Sequence, residues 1–455
     1  NYNVLVGDEA GTAITTGDAN VALGYGAFKT STTGYHTVAI GVNAGDAITT
    51  SGQNVLIGYD SGTTLTTGGD NTAVGDRSFK LATTAATNVA IGGTALENTT
   101  TGSNNVGVGW GSLRANTTAS NNTAVGLSAL TANTTGASNV AIGSLALDAN
   151  TTASFITAVG EKALSANTTG AKNTAIGRAT LQATTTQSNN TAVGYNALSG
   201  GSNAASDNTA VGMDALTSTT SGTQNVAVGA SALTANTTGG YSVAVGFNAL
   251  DAATTGDYNT AVGREALGSV TTADSNTGIG RNAGSAITTG SNNVAVGALT
   301  LDANTTGQRN TAVGQQSFST NTTGSYNTAL GRSALFSNTT ADNNTSVGYE
   351  ALYANTTGDR NVAVGALALD ANTTADANTA VGYEALTTNT TAEGNTAVGF
   401  GSLRLNTTGG GNTGIGQNAL YSNTTAASNT AVGKSALTAN TTGTENVAIG
   451  MQSCD

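Results

Sequence analysis

Apolar β-branched residues return along this chain at a fixed interval, and each set ends in a glycine. The glycine recurs every 17 residues from Gly7 to Gly450, with one step of 18 residues between Gly194 and Gly212, which gives 27 copies. Positions are numbered from this glycine, which is position 0. Position −3 is Val or Thr, and position −1 is Val, Ile or Leu, in all 27 copies. Alternating β-branched residues predict a short strand that ends at the glycine.

Self-similarity at a fixed period predicts a repeat array in which each repeat stacks on its neighbours. A repeat of 17 residues is too short for a βαβ unit and suits one turn of a narrow parallel β-solenoid. We therefore predict an all-β protein, a parallel β-solenoid (β-roll) in which residues 1–455 form a single continuous array of about 27 turns. With strands about 4.8 Å apart, the array would be a rod roughly 130 Å long. Both ends fall in mid-repeat, so we expect a segment of a longer chain.

The strand pattern also predicts which side chains face the core. We expect positions −3 and −1 to point inward and position −2, which lies between them, to point outward. Position −2 is Ala in most copies, as in Ala22 and Ala124, and it is never charged. An outward stripe of small residues would allow copies to pack side by side, so we predict a homo-oligomer, with a trimer favoured. The alternative interpretation is that Ala simply fits a tight turn.

The second half of the repeat shows an exchange of volume between two positions. Position +4 is usually Leu and position +7 is most often Asn. Four copies carry Gly at +4 and then place Ile or Leu at +7; the glycines are Gly11, Gly45, Gly62 and Gly284. Compensation of this kind predicts that both positions share one core. We expect the Asn residues at +7, and those at −4, to form amide columns along the solenoid. In the Thr pairs at +8 and +9, one Thr should face in and one out.

The amino-acid composition limits which partners and which cellular location are expected for this chain. Charged residues are 9% of the chain, proline is absent, and the net charge is −12. This acidity argues against nucleic acid as a partner. No apolar run of about 18 residues occurs, so we predict no insertion into a membrane. No signal peptide is visible. An acidic, weakly charged surface favours an extracellular location, on a cell surface or a virion.

The residues that usually carry chemistry are scarce. His36 is the only histidine and Cys454 the only cysteine. We interpret His36 as an exposed corner residue, and Cys454, at a +4 position, as a buried substitute for Leu; an intermolecular disulfide is the alternative. Asp recurs at +11, where a solvated corner is favoured over single cation sites; these residues are Asp18, Asp257, Asp274, Asp342, Asp359 and Asp376. The sequence thus predicts no catalytic, cofactor-binding or metal-binding residue, and no enzyme.

Three further features are interpreted as structural. Aromatic residues cluster at +1, and they could shield a thin core or stack against glycans; they are Tyr25, Tyr59, Trp110, Tyr195, Tyr349 and Tyr383. Asn-Thr-Thr matches a glycosylation sequon, but its regular recurrence favours a ladder residue. Residues 199–206, in the 18-residue step, are expected to bulge outward as a tolerated insertion.

The strand motifs resemble those of a known group of proteins. The segments Asn139–Gly143 and Asn446–Gly450 read Asn-Val-Ala-Ile-Gly, and they resemble the head repeats of trimeric autotransporter adhesins, which are trimeric parallel β-rolls with a shorter repeat. The longer unit, with Ala-Leu and Asn-Thr-Thr-Gly, is more similar to repeats of phage tail fibres and bacterial surface proteins. The resemblance implies a fibrous, trimeric architecture over the whole chain.

These observations lead to one favoured function and two alternatives. The favoured hypothesis is the structural shaft of an extracellular adhesive or host-attachment fibre, whose partners are other copies of itself and possible cell-surface glycans or receptors. The first alternative is an ice-binding solenoid that uses the Thr ladder. The second is a carbohydrate-active solenoid, which the scarcity of histidine and of acidic clusters disfavours.

Overall fold

The chain folds entirely as short strands joined by tight turns. The computed structural model describes residues 2–200 and 205–454, and within these it contains 27 strands of three residues and no helix. The chain forms two compact units, Asn1–Asn225 and Val226–Asp455. Each unit is a stack of the same 17-residue turn.

The first unit contains thirteen strands within its described residues. They are β1 (Val4–Val6), β2 (Val21–Leu23), β3 (Val38–Ile40), β4 (Val55–Ile57), β5 (Thr72–Val74), β6 (Val89–Ile91), β7 (Val106–Val108), β8 (Thr123–Val125), β9 (Val140–Ile142), β10 (Thr157–Val159), β11 (Thr174–Ile176), β12 (Thr191–Val193) and β13 (Thr209–Val211).

The second unit contains fourteen strands within its described residues. They are β14 (Val226–Val228), β15 (Val243–Val245), β16 (Thr260–Val262), β17 (Thr277–Ile279), β18 (Val294–Val296), β19 (Thr311–Val313), β20 (Thr328–Leu330), β21 (Thr345–Val347), β22 (Val362–Val364), β23 (Thr379–Val381), β24 (Thr396–Val398), β25 (Thr413–Ile415), β26 (Thr430–Val432) and β27 (Val447–Ile449).

Within each unit, every strand pairs in parallel with the next strand along the chain, in register. In β8 and β9, for example, Ala124 lies opposite Ala141. The predicted parallel β-solenoid, its 17-residue turn and the position of its strand are therefore confirmed. The 18-residue step keeps the register, because Thr191 lies opposite Thr209. Of the bulge predicted at 199–206, residues 201–204 lie outside the described residues.

The direction of the side chains is the reverse of the prediction. Ala124 and Ala141, both at −2, are completely buried, whereas Ile142, at −1, is 40% exposed. Positions −3 and −1 therefore point outward, and the Ala stripe lies in the core, where it cannot serve as an interface between copies. The Leu at +4 of the preceding turn fills the space opposite position −2. In one such pair, the Cγ atom of Leu96 lies 3.3 Å from the point where a Cβ on Gly107 would sit, so a small residue is needed at −2.

The volume exchange between +4 and +7 is confirmed, and it includes a third position. Ile48 is fully buried, and its Cδ1 lies 3.0 Å from where a Cβ on Gly45 would sit. Leu56, a large residue at −2, is also fully buried, and its side chain occupies the space left by Gly62 at +4 of the same turn. Leu at −2 is thus tolerated because the facing position, +4, carries Gly instead of Leu in these turns.

Each regular turn bends through left-handed residues at +2, +4 and +12. In one turn these are Ser128, Leu130 and Ser138, with φ between 53° and 57°. A left-handed conformation costs a residue with a side chain about 1–2 kcal/mol. Leu130 is fully buried, and burial of a Leu side chain contributes about 1.5–3 kcal/mol. The core contact of the Leu therefore offsets the strain of its own backbone.

Two Asn columns bond successive turns together, as predicted. At −4, Asn122 Nδ2 donates to the Gly136 carbonyl at 2.9 Å, while Asn122 Oδ1 accepts the Asn139 main-chain N–H at 2.9 Å. At +7, Asn133 Nδ2 donates to Asn116 Oδ1 at 3.1 Å. All these Asn side chains are buried. Their amides form hydrogen bonds to the turns above and below instead of to water, as a buried polar group requires.

In most Thr pairs, the two members differ in their exposure. Thr134 is half-buried and Thr135 is exposed, whereas the flanking Asn133 and Gly136 are buried. The Thr134 hydroxyl donates to the Thr151 carbonyl of the next turn at 3.0 Å. This segment is a bend rather than a strand, so the two-residue alternation of a strand does not apply to it.

Candidate functional site

The largest regular surface of each unit is built from the outward side chains of positions −3, −1 and +1, which we call the apolar face. Positions −3 and −1 project on the same side of the three-residue strand, and the residue at +1, after the bend at the glycine, is also exposed in most turns. In β9, the outward residues at −3 and −1 are Val140 and Ile142. No copy carries a charged residue at −3 or −1. Because the strands pair in register, these residues form continuous columns along each unit.

Position +1 widens the apolar face with large side chains. Trp110 is 55% exposed and Leu127 is 52% exposed, and the predicted aromatic cluster lies in the same column. Their exposed fractions place these side chains at the surface rather than in the Ala and Leu core. Tyr383 stacks on Phe400 of the next turn, with ring centroids 5.7 Å apart, and the Arg332 guanidinium lies over the Tyr349 ring. A surface of this composition is typical of a contact with another macromolecule.

The Asp residues at +11 lie at a corner and support the backbone. Asp359 Oδ1 accepts the Asp342 main-chain N–H at 2.8 Å, and Asp376 Oδ1 accepts that of Asp359 at 2.8 Å. At the start of the chain, the Tyr2 main-chain N–H donates to Asp18 and lowers the pKa of that carboxyl. The column acts mainly as a ladder of acceptors at the surface.

His36 and Cys454 do not form a reactive site. His36 is exposed at a left-handed corner, as predicted, with its ring edge-on to Tyr35 at 5.3 Å. Cys454 is exposed, although it has the left-handed φ of 54° that the Leu residues at +4 share. It lies in the last described turn. In the described residues, no group of three or more His, Cys, Asp or Glu side chains is placed to hold a metal ion.

The Asn residues of the Asn-Thr-Thr motif are structural in the folded chain. Asn116, Asn133 and Asn150 are completely buried and bonded to one another along the +7 column. An amide in that place is inaccessible to a glycosylating enzyme while the turn is folded. Their burial supports the interpretation of the motif as a ladder.

Other surfaces of the described residues show short ion pairs between neighbouring turns. Lys80 Nζ lies 3.0 Å from Asp60, and Arg404 Nε lies 2.7 Å from Glu384. Each pair joins position +5 of one turn to position +2 of the turn before it. In the part of the chain that the structure describes, no helix has the length and apolar character needed to cross a bilayer.

Two comparisons with known proteins found no match. No protein-family model matches the chain, and no curated protein matches it.

Proposed function

We propose that this protein is the structural shaft of an extracellular adhesive or host-attachment fibre, carried on a cell surface or a virion, in which copies pack side by side as a trimer. The observation that supports this most is the apolar face. Its uncharged columns at −3 (Val or Thr) and −1 (Val, Ile or Leu) run through every turn of both units, and its +1 column combines aromatic and aliphatic residues with eight charged ones. No catalytic role is proposed for any residue of the repeat.

The energy of such packing grows with the number of turns. Burial of a whole Val or Ile side chain contributes about 1.5–3 kcal/mol, so covering the exposed 40% of Ile142 contributes about 1 kcal/mol. Each turn presents one Val, Ile or Leu side chain at −1, and 12 of the 27 turns present a second, the Val at −3. Association incurs a cost of about 4–15 kcal/mol only once. A few turns could not hold copies together, whereas a unit of thirteen or fourteen strands can.

Closed symmetry favours the trimer over an open stack of rods. Three copies around a common axis would turn every apolar face toward that axis and leave none exposed. The adhesin heads that the strand motifs resemble are also trimers of parallel β-rolls, which is the basis for favouring three copies. Glycans or receptors would then meet the remaining outward surfaces, such as the corner at +12.

The test is the solution mass of the full chain, measured by light scattering. A trimer would give three times 44.2 kDa. Replacing Ile142 and Val159 by Lys places charges on the apolar face in two adjacent turns. The measured mass should then shift toward that of the monomer, or the trimer should dissociate at a higher protein concentration than the wild type. The matched control replaces Thr135 and Thr152, on another outward column, by Lys and should leave the mass unchanged. A monomeric wild-type protein would refute the packing.

An ice-binding role is the second candidate, and the outward Thr pairs favour it. Thr135 is exposed, whereas Thr134 is half-buried with its hydroxyl donated to the Thr151 carbonyl, so a regular single row of exposed Thr is available to order water. Thermal hysteresis of the purified protein measures this directly. Replacing the Thr135 column in three turns by Leu should abolish hysteresis, and a wild-type protein without hysteresis would eliminate this function.

A further inference from the structure

Two tyrosines stack on each other at one corner of the second unit. Tyr241 and Tyr258 both occupy +12, in consecutive turns, and their ring centroids are 5.0 Å apart with 12° between the ring planes. Their backbones have nearly the same left-handed φ, 57° and 58°, and the Tyr258 main-chain N–H donates to the Gly240 carbonyl at 3.1 Å. The two side chains therefore leave the corner in the same direction, one above the other.

The main chain beside these tyrosines is fixed by the acceptor ladder at +11. Asp257 Oδ1 accepts the Gly240 main-chain N–H at 2.7 Å, and Asp274 Oδ1 accepts that of Asp257 at 2.8 Å. Gly240 directly precedes Tyr241, and Asp257 directly precedes Tyr258. The contact between the two rings is thus set by the stacking of the turns rather than by a chance rotation of two surface side chains.

The two rings are open to solvent, and in the part of the chain that the structure describes they are the one stacked pair made of two tyrosines. Tyr241 is 49% exposed and Tyr258 is 59% exposed. The other stacked aromatic pairs each contain a phenylalanine, as Phe336 with Tyr353 does. Because +12 lies outside the apolar face, packing of copies along that face would leave both phenols accessible.

The charges around this pair differ from those around other tyrosines. Four tyrosines have an Arg guanidinium over the ring; they are Tyr195, Tyr326, Tyr349 and Tyr421. A positive charge in that place opposes the removal of an electron from the ring. Among the described residues, no Arg lies over Tyr241 or Tyr258, and the carboxylate of the adjacent Asp257 favours loss of an electron. This pair is therefore the more readily oxidised.

We propose that Tyr241 and Tyr258 are the site of an oxidative cross-link, a dityrosine bond between consecutive turns. A peroxidase that uses hydrogen peroxide removes one electron and one proton from each phenol. The two phenoxyl radicals couple through a new C–C bond between their Cε atoms, and the hydrogen of each bonded carbon moves to the phenol oxygen of its own ring. The protein loses two hydrogen atoms, and one hydrogen peroxide becomes two waters.

The fold favours coupling within one chain, because it holds the two reacting groups in contact and no second tyrosine has to diffuse to the first. The bond would close a loop between residues that lie 17 positions apart. Like a disulfide, it would restrict the open state of these turns more than the folded state. Their main-chain amides should then exchange hydrogen more slowly, by about tenfold or more, while the protection of distant turns stays unchanged.

The experiment treats the full chain in dilute solution with a haem peroxidase and hydrogen peroxide, and then cleaves it before aspartates. This cleavage places Tyr241 in peptide 214–250 and Tyr258 in peptide 257–273. We expect the two peptides to remain joined, with a mass two hydrogens below their sum and with the fluorescence of dityrosine. On a denaturing gel the chain should keep the mobility of a single copy.

Tyr258→Phe keeps the stacked ring but removes the phenol, and it should abolish the joined peptides. The matched control is Tyr326→Phe, which removes an exposed phenol from +12 of another turn and should leave the yield unchanged. Combining Tyr241→Phe with Ser275→Tyr moves the pair by one turn, and peptide 257–273 should then be joined to peptide 274–301 instead.

Circular dichroism must show that all variants retain the fold. A wild-type chain that yields no joined peptides would overturn the proposal. So would an equal yield from Tyr258→Phe, or cross-links that form mainly between separate chains. None of these outcomes depends on whether copies of the chain form a trimer, so the test is independent of the function proposed above.

Discussion

The glycine at position 0 can be tested by adding a single methyl group. In every described copy its φ lies between +125° and +141°, a region that is essentially restricted to glycine. A Cβ on Gly143 would lie 2.5 Å from the Gly160 carbonyl oxygen and 2.6 Å from its carbon. Both atoms belong to the backbone of the next turn, so no side-chain rotation can relieve the overlap.

We expect Gly143→Ala to destabilise its turn by about 2–6 kcal/mol. Backbone strain contributes about 1–3 kcal/mol, and displacement of a close-packed neighbour contributes about 1–3 kcal/mol more. The matched control is Gly136→Ala in the preceding turn. A Cβ there would also lie close to backbone, 2.2 Å from the Ala153 carbonyl oxygen. Its φ is not left-handed, however, and the equivalent residues Ala119 and Ala153 already carry that methyl group.

Hydrogen exchange read by mass spectrometry is the appropriate assay, because long repeat arrays depart from two-state unfolding. Peptides covering the turns around Gly143 should exchange faster in Gly143→Ala, while those of distant turns keep their wild-type protection. Gly136→Ala should change protection by less than a factor of ten. If both variants lost the same protection, the left-handed backbone would not be the reason for the glycine column, and the reasoning would fail.

Two further predictions concern the core and pH. Leu130→Gly alone should destabilise the turn by about 2–5 kcal/mol, and adding Asn133→Ile should recover about 1–3 kcal/mol, because the pair recreates the arrangement of Gly45 and Ile48. A double-mutant cycle of the hydrogen-exchange protection of that turn that shows no coupling would contradict this. Burial raises the pKa of Asp148 above its ordinary value of 3.8, so its protonation stabilises the fold at low pH and this contribution is lost as pH rises through the raised pKa. Between about pH 7 and pH 4, the wild type should therefore gain stability relative to Asp148→Asn, and parallel pH profiles of the two proteins would refute it.

Much of the fold follows from the period and from compensation between positions. The 17-residue recurrence gave the turn length, and the β-branched pair before each glycine gave the strand, because only an extended segment alternates its side chains in this way. Gly45 with Ile48 gave two positions of a shared core, because a change of volume at one was balanced at the other. The Asn columns followed from the cost of leaving buried amides without partners.

The candidate surfaces were less accessible to sequence reasoning. The apolar face was missed because Val140 and Ile142 are more hydrophobic than Ala141, so hydrophobicity alone favours them as the core. One signal could have corrected this: Leu56 at −2 coincides with Gly62 at +4, which is the same volume compensation that identified the core.

The sequence by itself determined that this protein is a parallel solenoid with one strand per repeat, because the repeat length and the alternation of β-branched residues admit few other folds. The tertiary structure alone decided which side of the strand is inside. Both sides of a three-residue strand such as Thr123–Val125 can be buried in principle. Where a Leu at +4 faces the strand, the space between them accepts only a small residue such as Ala at −2. Packing volume, rather than hydrophobicity, therefore places the larger β-branched residues at the surface.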